Sequence, residues 1–185
     1  MTHAVKIILV AGWVLFWIGW LVAAVRSSKP GESSWARGGV GLRISISVVV
    51  IILVRSNMFG GHGLIRDPWL QSIGLVLFFA GLALAVWARV HIGANWGTPM
   101  THKTDPDLIT TGPYSVIRHP IYSGITLAMV GTAVTQSLYL LIAAVALAAY
   151  FIFSATREER YMTERFPEAY PDYKRSTKML IPFIF

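Results

Sequence analysis

Apolar residues in this chain fall in long blocks, separated by short polar, basic or glycine-rich segments. The first block, 5–25, holds 21 residues broken only by Lys6, and at 1.5 Å per residue it reaches about 31 Å, one full membrane crossing. Arg26 and Lys29 follow directly, as a basic stop does. A cleavable signal would have a shorter core and a small-residue cleavage site, so this helix is expected to be retained. A second apolar block, 44–54, becomes long enough to span when 38–42 are added and Arg43 snorkels toward the headgroups. Residues 57–63, with Gly60, Gly61 and Gly63, read as a short outer loop, and Asp67-Pro68 supplies a cap and first-turn proline for a helix over 69–90. Gly74, Gly81, Ala85 and Ala88 share one face of that helix, a pattern for close packing in lipid.

The last block, 121–153, holds 33 residues, too long for one upright span and too short for two full spans with a loop. A bend at Thr135-Gln136-Ser137 resolves it into a tight hairpin of two short helices. Gly124, Ala128 and Gly131 on the first arm, with Ala143, Ala144, Ala146, Ala148 and Ala149 on the second, are expected to let the two arms touch. The expected fold class is therefore all-α: a polytopic membrane helical bundle of about five transmembrane helices in a single domain, 1–185, with a tight C-terminal hairpin and a cytoplasmic C-terminal tail.

Charge orients the bundle. Segments 26–43, 89–120 and 154–185 hold 13 of the 16 lysines and arginines, which places them in the cytoplasm and the N-terminus outside. The composition agrees, with 55% hydrophobic and 14% charged residues. The net charge of +7 needs no nucleic-acid partner, because the basic residues lie between apolar spans and not along one soluble face. Without cysteine the chain has no disulfide, thiolate metal site or cysteine nucleophile.

Polar chemistry concentrates in 108–124, where Gly112-Pro113 marks a turn and Arg118-His119-Pro120 stands before an apolar run. Pro120 falls where a helix tolerates it, near its first turn. If 121–153 is a hairpin, Arg118 and His119 emerge on the same membrane face as Arg157-Glu158-Glu159-Arg160, and a shared site becomes geometrically possible. Taken alone, Arg118 and His119 are interfacial anchors and the glutamates a solvated pair on an amphipathic tail. Adjacent glutamates do not share one helix face, so one of Glu158 and Glu159 is expected to face the site while the other pairs outward. His102, Asp105 and Asp107 lie in one turn-rich segment without a recognised ligand spacing, and no metal is expected. Trp13, Trp17 and Trp20 read as lipid or helix contacts, and 180–183 as a segment docked on the bundle.

The string Gly112-Pro113-Tyr114, Arg118-His119-Pro120, Tyr122 and Gly124, followed across one hairpin by Glu158-Glu159, resembles the integral-membrane methyltransferases that include isoprenylcysteine carboxyl methyltransferase and the phospholipid N-methyltransferases. The resemblance covers 88–182 and departs at Phe166-Pro167, where many relatives have Phe-Gly. It implies an S-adenosylmethionine-dependent enzyme whose catalytic half is about 88–185. Arg118 or His119 would meet the cofactor carboxylate and Glu158 or Glu159 its ammonium or ribose hydroxyls, with Pro120 in the same string. Tyr114, Tyr122 and C-terminal apolar residues would wall the adenine. Arg89, with Asn95 and Trp96, is expected on the acceptor side, where a cation would place a substrate carboxylate. The substrate is expected to be lipophilic or lipidated and methylated on a carboxyl oxygen at the cytoplasmic face. N-methylation of a phospholipid or other amphiphile is the alternative, and a small membrane scaffold subunit the non-enzymatic one. No glycine-rich strand-turn-helix is present to hold the cofactor in the soluble Rossmann manner, and the oligomeric state is left open.

Overall fold

A computed structural model describes residues 3–27, 65, 67–93 and 107–185, with side chains in the first segment as far as Ala23. Among the described residues there are five α-helices and no strand: α1 His3–Ser27, α2 Pro68–Ile92, α3 Pro120–Gln136, α4 Leu140–Arg165 and α5 Ala169–Ser176. A 3₁₀ turn, Gly112–Ser115, precedes α3. The expected crossing over 38–54 and its flanking loops lie outside the described residues, as do Asn95, Trp96, His102 and Asp105.

Local chemistry starts α2 where the sequence indicates: the Asp67 carboxylate accepts from the Trp69 amide at 2.8 Å, and Pro68 occupies the first turn. Three helices are long and apolar enough to cross a membrane, within His3–Ala23, Pro68–Ile92 and Leu140–Arg165. Their outward faces carry residues such as Leu15, Val76 and Ile142, all well exposed, as lipid-facing helices require.

The hairpin forms at the expected place, with α3 closing at Gln136 and α4 opening at Leu140. Its arms are unequal. At 17 residues α3 is about 25 Å long, whereas the 26 residues of α4 reach about 39 Å and carry Glu158 and Glu159 beyond the apolar block. The small residues act differently from expectation. Gly124, Ala128 and Gly131 pack against α2, not against the second arm of their own hairpin. A Cβ at Gly124 would stand 2.6 Å from both the Ala85 nitrogen and the Gly81 oxygen, backbone atoms that have nowhere to move. The two small faces read separately from the sequence, on α2 and on α3, are therefore the two halves of one antiparallel contact. Ala146 and Ala149 on α4 point outward.

Helix α1 lies along this pair in parallel with α2. The Trp13 indole donates to Thr132 Oγ1 at 3.2 Å and meets the Phe78 ring edge-on at 5.6 Å. Further along, the Arg89 guanidinium sits 6.0 Å from the Trp20 ring and donates to the Ala23 carbonyl at 3.2 Å. At the other end of the bundle the Ile65 amide donates to the Gln136 carbonyl at 3.0 Å. Ala23 and Ile65 therefore lie at opposite ends.

Candidate functional site

The ends of α2 and α4, the start of α3 and the whole of α5 meet at one mouth of the bundle. Arg118 and His119 precede Pro120, and their backbone is zipped to the C-terminal segment. The Arg118 amide donates to the Lys178 carbonyl at 2.8 Å and the His119 amide to the Met179 carbonyl at 3.1 Å, while Lys178 returns a bond to the Val116 carbonyl at 3.2 Å. Ser123, in the first turn of α3, donates to the Leu180 carbonyl at 2.6 Å. Residues 177–180 thus form a strap across the mouth.

The paired glutamates divide their work, though not as their adjacency suggests. Glu159 is buried, at 2% exposure. It accepts from Arg118 Nε at 2.6 Å and lies 2.9 Å from Lys174 Nζ. Arg118, with its side chain 7% exposed, also donates to the Thr177 carbonyl at 2.6 Å and the Lys174 carbonyl at 3.2 Å. Burial at these distances makes this a charge-assisted clasp rather than a solvated pair. Glu158 keeps 28% of its side chain exposed and accepts from the Tyr122 hydroxyl at 2.5 Å.

The His119 ring stands between the two carboxylates, Nδ1 at 3.6 Å from Glu158 and Nε2 at 3.5 Å from Glu159. These distances are long for hydrogen bonds. Neither glutamate points away from the site: the side chains leave α4 at different angles and converge because an imidazole is wide enough to touch both. Stacking holds the ring, with His119 lying 5.5 Å from Tyr122 at 4° and Tyr122 lying 4.4 Å from Phe151 at 6°.

A second layer holds the turn before α3. The Tyr173 hydroxyl donates to the Tyr114 carbonyl at 2.6 Å, and the Tyr114 hydroxyl lies 3.5 Å from the Ala88 carbonyl. Burial pushes the phenols of Tyr114, Tyr170 and Tyr173 above the ordinary range, so they stay neutral. His91 stacks on Tyr114 at 6.4 Å and its Nε2 is 2.8 Å from Thr111 Oγ1. Gly112, at φ 60°, must be glycine on two counts: a left-handed backbone, and a Cβ that would reach within 2.6 Å of the His91 ring.

Of the residues singled out from sequence, Arg118, His119, Pro120, Tyr122, Glu158 and Glu159 meet in one cluster, with Tyr114 directly behind it. Arg89 is at the same end but buried, donating to the Gly93 carbonyl at 3.0 Å and to Ala23 on α1. Leu180 docks as expected, yet Ile181 and Phe183 are exposed, because the chain turns back on itself after the strap. Lys174, Thr177 and Phe151 were not anticipated, since a lysine and a threonine in a short tail and one phenylalanine in an apolar block carry no motif.

A family model described as phospholipid methyltransferase matches residues 69–169, which include the whole string and both glutamates. The chain belongs to that family. Over 166 residues the methyltransferase is 30% identical to a nickel-cobalt-cadmium resistance protein of Alcaligenes xylosoxydans xylosoxydans, covering 86% of this chain and 71% of that one. It is 33% identical over 120 residues to the protein-S-isoprenylcysteine O-methyltransferase of Xenopus laevis, covering 63% of this chain and 42% of that one. Its fold is similar to that of the solved eukaryotic intramembrane Ras methyltransferase, isoprenylcysteine carboxyl methyltransferase, with a TM-score of 0.69 at 21% identity over 100% of this chain and 70% of that chain. The protein is an integral-membrane methyltransferase, and its chemistry requires a methyl donor.

Proposed function

We propose that this methyltransferase uses S-adenosylmethionine to methylate a carboxylate on a lipophilic acceptor, at the cytoplasmic face of its membrane. The observation that carries the reading is Glu158, a partly exposed carboxylate held by the Tyr122 hydroxyl beside His119 at the polar mouth of a membrane hairpin. Bound there, the cofactor supplies an electrophilic methyl group on a sulfonium. Glu158 is the acceptor for its ammonium or ribose hydroxyls, and His119 offers ring nitrogens beside it. Arg118 acts as a positioning group, with Nε donating to Glu159 and Nη1 to the Thr177 and Lys174 carbonyls, so that it ties Glu159 to the strap and to α5. Tyr122, stacked with His119 and Phe151, and Tyr114, stacked with His91, back the mouth from behind.

Methyl transfer is an in-line displacement, and the protein contributes alignment and exclusion of water. An acceptor carboxylate is ionised at neutral pH and needs a cation to place it, not a base. Arg89 is the candidate cation, with Asn95 and Trp96 following it in the chain. The relative named for isoprenylcysteine O-methylation supports a prenylated or similarly lipophilic acceptor. The cytoplasmic assignment rests on the 13 of 16 lysines and arginines in segments 26–43, 89–120 and 154–185. The family description favours a second reading, N-methylation of a phospholipid amine.

One experiment separates the two. Protein in nanodiscs receives methyl-labelled S-adenosylmethionine with either a farnesylated cysteine bearing a free carboxyl or phosphatidylethanolamine. Label in a base-labile ester on the cysteine supports the carboxyl reading. Label confined to the lipid amine moves the assignment to N-methylation, and label in neither sinks both.

A further inference from the structure

Beyond the strap the chain presents its least expected surface. Ile181 is 50% exposed, Phe183 85%, Ile184 76% and Phe185 47%, a run of large apolar side chains that no part of the described structure covers. The run is not a loose end. The Phe185 amide donates to the Ile181 carbonyl at 3.0 Å and the Leu180 amide to the Phe185 carbonyl at 2.7 Å, closing a compact turn. Phe183 sits at φ 63°, a left-handed conformation that bulky side chains disfavour, so the backbone is strained in a turn that directs this ring outward. Facing water, the exposed apolar side chains would be unfavourable.

Position names what covers the turn. It leaves the strap at Leu180, whose carbonyl is bonded to Ser123 in the first turn of a membrane helix. The turn therefore lies beside the start of α3, at the polar mouth of the hairpin. Lys178, exposed, lies just before it as a cationic group, whereas Arg175 is paired with Asp172. An apolar tip beside a cationic group suits the boundary between headgroups and acyl chains.

We propose that 181–185 is a wedge inserted into the bilayer beside the site, and that insertion holds the 177–180 strap against Arg118 and His119. The inference is independent of which methyl donor or acceptor the enzyme uses. Lipid contact anchors the far end of the strap, and the near end carries the carbonyls that Arg118 and His119 bond.

The absence of cysteine makes the test direct. Single nitroxides are attached at Phe183→Cys, Ile184→Cys and, as an aqueous reference, Arg175→Cys, in the protein in nanodiscs containing anionic lipid. Power saturation with oxygen and with a water-soluble nickel chelate then reports depth. Oxygen should dominate at 183 and 184 and the nickel chelate at 175. Nickel access at 183 and 184 equal to that at 175 overturns the wedge. Shielding from both relaxants also overturns it, because it means protein covers the turn. Insertion is then linked to the strap by amide exchange in Phe183→Asp. The Arg118, His119 and Lys178 amides should exchange at least about tenfold faster in that variant, as a loosened local unit does. Unchanged protection there refutes the coupling of wedge to strap.

Discussion

Replacing Glu159 by glutamine strips the counter-charge from a guanidinium that is only 7% exposed and from Lys174 Nζ at 2.9 Å, while the shape of the side chain barely changes. Removing one partner of a buried ion pair outright costs about 3–5 kcal/mol. Glutamine still offers Arg118 an oxygen, so the expected loss falls to that of a charged hydrogen bond, about 1.5–3 kcal/mol. Each kcal/mol lowers the Tm of a chain this size by about 2–4 °C, which gives a fall of roughly 3–12 °C. Glu158→Gln removes charge from a side chain that is 28% exposed and pairs with a neutral phenol, so its Tm should stay within about 2 °C of wild type. Its effect should appear in cofactor affinity, lowered about tenfold to 150-fold. Thermal unfolding of both variants in nanodiscs, followed by tryptophan fluorescence and paired with calorimetric titration of S-adenosylmethionine, reads the two quantities separately. If Glu159→Gln unfolds like wild type while Glu158→Gln loses stability, the assignment of clasp and ligand is reversed and the geometric reasoning fails.

Other consequences follow from the same contacts. Gly81→Ala places a methyl group against the Ala128 backbone, and overpacking of this kind costs about 1–3 kcal/mol, so Tm should fall by roughly 2–12 °C; an unchanged midpoint means that α2 and α3 do not pack through their small faces. Tyr173→Phe loses the bond to the Tyr114 carbonyl and should cost about 0.5–1.5 kcal/mol by the same unfolding measurement, with no effect if that bond is not made. Methylation of a carboxylate should be nearly flat with pH from about 6 to 8, because the acceptor is already ionised across that range, whereas an amine acceptor predicts a rate climbing up to about tenfold per unit. Arg89→Lys should lower activity on a carboxylate acceptor, since an ammonium keeps the charge but lacks the planar fork that grips a carboxylate in two places; full activity would remove Arg89 from the acceptor site.

The membrane helices were legible because lipid imposes one rule on a crossing, a long apolar run, and the sequence obeys it at 5–25, 69–90 and across the hairpin. The cluster of Arg118, His119, Tyr122 and the glutamates was legible for a related reason: once the hairpin is granted, topology alone returns both of its ends to one face. What could not be read was pairing. Small residues on α2 and α3 announce a close contact without naming the partner, and the hairpin's own second arm was the nearer choice in sequence. The roles within the cluster were equally hidden. That Arg118 serves Glu159 depends on the Thr177 and Lys174 carbonyls, backbone groups that carry no sequence signature. The division between a buried Glu159 and a partly exposed Glu158 depends on α4 running on past the apolar block, so that one carboxylate turns under α5 and the other toward the mouth.

The account's central claim is that a methyl donor binds among His119, Tyr122 and Glu158. Calorimetric titration of the wild-type protein in nanodiscs with S-adenosylmethionine tests it most directly, with His119→Ala run alongside. Saturable binding at one site per chain, weakened about tenfold or more in the folded variant, is the predicted result. Absence of binding to the wild type, or binding that His119→Ala leaves untouched, contradicts the claim.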